Sequence, residues 1–73
     1  MGYWVNVDMS TRIAKIHRES CIWCRPYGQA SKGVNMMKGG GGWFRFESPG
    51  EAERYCRGIG LGLLWVPCRF CRP

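Results

Sequence analysis

Two cysteine pairs in near-identical settings, CIWCRP at 21–26 and CRFCRP at 68–73, stand far apart in the chain, and His17 precedes the first of them in HRESC. Thiolate and imidazole are donors that Zn²⁺ favours, and in structural sites the ion takes four of them at tetrahedral corners. Neither pair closes such a site alone. Two ligands on one tight turn come onto an ion together, and the entropy of closing a long loop grows slowly with its length, so a site of this kind is built from two local pairs. One structural Zn²⁺ would then clamp both ends of a small domain. Cys21, Cys68 and Cys71 supply three donors. The fourth is open between Cys24, which completes two Cys-x-x-Cys knuckles, and His17, separated from Cys21 by three residues.

Size makes such a staple necessary. A chain of 73 residues forms a single domain over 1–73 and buries only about 60% of the surface it exposes when unfolded. Small domains make up the deficit with disulfides or a metal. Five cysteines is an odd number for a disulfide framework, and MGYWVNVD has neither the basic nor the apolar segment of a secretory leader. Reduced thiols in a cytoplasmic protein are the expectation. Zinc in such a site supplies roughly 10–16 kcal/mol of apparent folding free energy, more than the net stability of most domains. No apolar run reaches membrane-spanning length and no lipidation motif is complete, so no membrane partner is expected.

The pattern along the chain is α+β. Tyr3 to Asp8 and Arg12 to His17 are short β-branched runs around Met9-Ser10-Thr11, an N-terminal hairpin. With Asp8 facing Thr11, Val5 opposes Ala14 and Tyr3 opposes Ile16 on the face that suits a core. Trp4, Asn6 and His17 fall on the other. Residues 25–42 have no acidic residue and include four consecutive glycines, and read as a flexible basic loop. Within it GQASKG at 28–33 lacks the following Lys and the helix of a phosphate-binding loop, and is not one. WFRFE at 43–47 alternates as a strand, and LLWV at 63–66 is a last short strand leading to Cys68. The fold expected is thus the hairpin, one or two further strands and one helix at about 48–59. That helix has Ser48 as N-cap, Pro49 at its first position and Glu51 closing a capping box. Ala52, Tyr55, Cys56 and Ile59 form its apolar stripe, which makes Cys56 a packing residue rather than a ligand.

The order IHRESC, a strand rich in aromatics, FESPGEAERY and CRFCRP resembles the metal-binding domain of the bacterial alkylation-response protein Ada and its small relatives, over about Ile13 to Pro73. The resemblance implies a zinc fold with His17, Cys21, Cys68 and Cys71 as ligands. In that family the first ligand is a cysteine that takes a methyl group from a DNA phosphotriester. Imidazole is a poor substitute for that thiolate, so the repair activity is not expected to carry over. His17-Arg18-Glu19 with Pro67-Cys68-Arg69-Phe70-Cys71 also spells a zinc-deaminase signature. The setting is wrong for it, because those motifs open helices on a larger sheet, whereas here His17 ends a strand. No enzymatic activity is expected.

Charge suggests a partner. Eleven Lys and Arg against five Asp and Glu give a formal net charge of +6, which favours DNA or RNA through counterion release, or merely keeps a small protein soluble. On the first reading Arg18, Arg25, Lys32, Lys38, Arg45, Arg69 and Arg72 meet phosphates, and Trp23 or Trp43 stacks on bases. The alternative is a monomeric protein-interaction or accessory structural module, recognisable by an exposed apolar patch containing Trp4, Trp23 or Trp43.

Overall fold

The computed structural model describes residues 2–28 and 32–73. Five strands and one helix follow in chain order: β1 Tyr3–Asp8, β2 Ile13–Arg18, β3 Gly33–Val34, β4 Gly41–Phe46, α1 Pro49–Gly58 and β5 Leu64–Pro67. They form one mixed sheet in the order β3-β4-β1-β2-β5 beneath a single helix, the α+β architecture expected. β1 pairs antiparallel with both β2 and β4, while β2 and β5 run parallel. No helix among the described residues is long and apolar enough to cross a membrane.

The hairpin register differs from the one expected by two residues: Val5 faces Ile16, Val7 faces Ala14 and Trp4 faces His17. The reason lies in the turn. Asp8 accepts hydrogen bonds from the Ser10 N–H at 3.0 Å and the Ser10 hydroxyl at 2.7 Å, and Arg12 takes a left-handed φ of 58°. Arg12 therefore belongs to the loop and not to β2. A slip of two preserves the faces, because side chains alternate with period two. Val5, Val7, Ala14, Ile16 and Phe44 pack with Ala52 and Cys56 of α1 in one buried cluster. The opposite face of the sheet carries Trp4, Asn6, Lys15, His17 and Trp43.

The helix is built as its sequence requires. Ser48 Oγ accepts the Glu51 N–H at 3.2 Å, and Gly60, at φ 69°, follows the C-cap Ile59. Ala52 and Cys56 are buried, and Tyr55 meets the rings of Phe44 and Phe46 at 5.2 and 5.4 Å. On the solvent side Arg57 pairs with Glu53.

The glycine-rich stretch needs correction at both ends. Its residues 29–31 lie outside the described ones, but Pro26–Gly28 is a 3₁₀ turn and Gly33–Val34 is a third strand beyond the hairpin. β4 begins at Gly41, two residues before Trp43. Gly41 and Gly42 are there because nothing larger fits: a Cβ on Gly41 would stand 1.8 Å from the Val7 carbonyl oxygen, and one on Gly42 2.3 Å from that of Met36. In sequence these look like linker glycines; in the fold they are points of close backbone approach.

Candidate metal centre

Two parallel strands bring the ligand pairs together. β2 and β5 point the same way, so the residues that follow them leave the sheet at the same end. The ladder continues past β5 with the Cys68 N–H donating to the Ile16 carbonyl at 2.9 Å. That bond seats Cys68 beside His17. On the other side, turns with Cys21 N–H on the Arg18 carbonyl and Cys24 N–H on the Cys21 carbonyl fold the chain after β2 back over its own end.

The outcome is a group of His17, Cys21, Cys68 and Cys71 whose ligand atoms all lie within 4.8 Å of one another. His17, Cys21 and Cys68 are buried, and Cys71 is half-buried. Cys21 Sγ and Cys68 Sγ are 3.9 Å apart. His17 packs against the Trp43 ring at a centroid distance of 5.6 Å, and its Nδ1 is buried with no hydrogen-bond partner among the described residues. An unsatisfied buried nitrogen costs about 1–3 kcal/mol; a metal would satisfy it. Burial, then the charge of Lys15, lowers the His17 pKa and favours the neutral, ligating form. The donor set of one imidazole and three thiols, closed around a single point, suits one soft or borderline ion with no protein position left over.

Local hydrogen bonds prepare the sulfurs. The Arg18 N–H donates to Cys71 Sγ at 3.2 Å. Burial raises the Cys68 pKa, but bonds from the backbone of Cys71 and Phe70 reverse the sign and hold the thiol below its ordinary range. Burial pushes both Cys24 and Cys71 up to about 11, so a raised pKa does not separate Cys24 from a member of the group. Position does. Cys24 lies outside the four-residue group, and Cys56 is in the core across the sheet.

The cations fare differently from one another. Arg18 spends its guanidinium on the Cys71 and Arg72 carbonyls. Arg45 lies between Glu19 and Glu47 at 3.2 and 2.9 Å. Lys32 holds the Asn6 side-chain oxygen at 2.7 Å, and Arg25 bonds the Ile22 carbonyl. Lys38, Arg69 and Arg72 are exposed. The seven do not form one continuous face of uncommitted charge. Lys15, not among the seven, also has an exposed side chain, on the His17 face of the sheet. Set against family models, curated proteins and solved structures, the chain matches none of them.

Proposed function

We propose that His17, Cys21, Cys68 and Cys71 hold one Zn²⁺ as a closed structural site, and that the domain so clamped is a nucleic-acid-binding module. The convergence of four donor atoms from two distant segments within 4.8 Å carries the metal reading. Bound there, zinc supplies a cross-link between the end of β2 and the end of β5. His17 packs on Trp43, Cys21 is held by its N–H on the Arg18 carbonyl, Cys68 by the β-ladder and Cys71 by Arg18, so protein contacts as well as the ion would position each ligand. The resemblance of the ligand order to the Ada metal-binding domain supports the same assignment, and imidazole at 17 argues against its methyl-transfer chemistry. A non-catalytic role also fits the carboxylate of Glu19, which a deaminase would need for proton transfer and which here accepts from Arg45 Nε at 3.2 Å.

Metal analysis of the purified chain is expected to give one zinc per molecule, and exhaustive chelation to abolish its native spectrum. Retention of the native spectrum after chelation would overturn the structural role. The nucleic-acid part rests on the formal charge of +6 and on exposed cations near the metal end. Titration with DNA and RNA at two salt concentrations tests it; no binding at low salt ends it. Exposure of Trp23, Tyr27 and Phe70 favours a second reading, a protein-interaction module. Saturable partner binding that is indifferent to salt and lost on changing those rings would select it.

A further inference from the structure

The sheet face that bears His17 is not completely covered. Beside the ligand group a cleft of about 430 Å³ opens, lined among others by Asn6, Lys15, Trp23, Arg69 and Phe70. Trp23 and Phe70 meet edge to face at a centroid distance of 6.5 Å, yet they remain 58% and 63% exposed. The backbone beneath each is ordered. Trp23 sits in the turn between Cys21 and Cys24, closed by the Cys24 N–H on the Cys21 carbonyl, and Phe70 sits in the turn between Cys68 and Cys71, closed by the Arg72 N–H on the Cys68 carbonyl. Exposed aromatic rings on such turns offer a flat partner a face to stack on.

Among the described residues the charged side chains lining the cleft are positive, but His17 and Cys68 line it too. A Zn²⁺ held there by three thiolates would carry one net negative charge, and Glu19 acts on Cys24 beside Trp23. No Asp or Glu lines the cleft, Lys15 and Arg69 do, and Asn6 also anchors the Lys32 ammonium. A smaller hollow shares Asn6 and Lys15 and reaches Asp8, whose carboxylate would repel a phosphate at that side. An anionic chain carrying flat, unpaired rings matches this combination. A duplex does not, because its bases are already stacked on both faces. Resting on the nucleic-acid reading above, we propose that the cleft takes one unpaired base of a single-stranded polynucleotide stacked on Trp23, with Phe70, perpendicular to that ring, at the edge of the base and the adjoining phosphates on Lys15 and Arg69.

The test uses the zinc-loaded full chain and fluorescent oligothymidylate, oligouridylate, a duplex of matched length, thymidine monophosphate and an acidic peptide, at low and physiological salt. The single strands should bind at least about tenfold more tightly than the duplex. Trp23→Ala should weaken them by about tenfold, the scale of one lost stacking contact, and Phe70→Ala, which meets only the edge of the base, by less. Lys15→Gln and Arg69→Gln should each lower the salt slope by about one. Arg54→Gln, exposed on the helix across the sheet, should change nothing. Zinc content checks that each variant is folded; should Trp23→Ala lose its metal, Arg69→Gln and Lys15→Gln still probe the cleft. Equal affinity for duplex and single strand, or indifference to both ring variants, would remove the cleft proposal and leave nucleic-acid binding standing. Absence of binding to every nucleic acid at low salt would remove both. Preference for the mononucleotide or the acidic peptide, with the same variant sensitivity, would overturn the polynucleotide assignment.

Discussion

Arg18 and Cys71, fifty-three residues apart in sequence, are joined twice: the Arg18 N–H reaches Cys71 Sγ at 3.2 Å, and its Nε reaches the Cys71 carbonyl at 3.0 Å. A third bond, from the guanidinium to the Arg72 carbonyl, makes Arg18 a forked clasp on the second ligand turn. Its side chain thus serves the fold before it can serve a phosphate. Arg18→Ala is expected to lower stability by about 1 kcal/mol, the upper part of the range for charged hydrogen bonds being discounted for partial exposure. It should also speed zinc transfer to a chelator. Arg18→Lys should restore little of this, since one ammonium cannot fork. Thermal unfolding and chelator competition measure both.

The fourth ligand is separable by substitution. His17→Ala removes a member of the 4.8 Å group and should abolish stoichiometric zinc binding at neutral pH. Cys24→Ala should keep one zinc per chain, as should Cys56→Ala, whose side chain packs with Val5 and Ala52. The Cys56 variant should instead lose about 1 kcal/mol of stability from the lost packing. Metal analysis together with thiol titration distinguishes the three.

Acid should loosen the domain, and the sign follows from His17. Its folded pKa is lowered from 6.5, principally by burial, so the unfolded chain binds more protons as pH falls below that value. Stability contributed by neutral His17 is complete above about 6.5 and is lost as pH falls toward its lower folded value. Proton competition for the ligand nitrogen acts in the same direction. Zinc retention and unfolding midpoint, followed from neutral pH downward, should fall together, and a Cys24→Ala variant should show the same profile.

Gly41 of β4 should be intolerant of substitution where Gly40, next to it in the preceding turn, is not. Gly41→Ala places a methyl 1.8 Å from the Val7 carbonyl oxygen at a φ of 151°, and should cost about 3 kcal/mol or more through combined strain and overpacking. Gly40→Ala, with nothing within 4 Å of its added Cβ, should be nearly neutral. Denaturant midpoints of the two variants provide the comparison.

The parts that could be read from the sequence are those whose physics is local. Ser48, Pro49 and Glu51 specify a helix start within four residues, and α1 runs from Pro49 to Gly58 as they imply. The ligand pairs were legible for the same reason, a spacing that one turn can satisfy. Spacing leaves His17 and Cys24 open; the group that includes His17 forms through a long-range contact, the ladder bond that sets Cys68 beside His17. The hairpin register turned on the left-handed φ of Arg12, which no residue preference announces. β3 and the start of β4 were hidden because a glycine required by a neighbouring carbonyl and one tolerated in a linker are the same letter. The partners of Arg18 and Lys32, at Cys71 and Asn6, lie far along the chain and were not legible, whereas Arg45 has one such partner in Glu19 and one in Glu47, two residues away.

The parallel pairing of β2 with β5 also sets an order of events on the ribosome. His17 and Cys21 emerge early, but their complement follows only after α1 and β5 have been made, and until then the outer edge of β2 has no strand to cover it. A nascent chain halted before Leu64 therefore presents a lone histidine–cysteine pair and a bare, pairing-competent border, and both close only when the last ten residues are made.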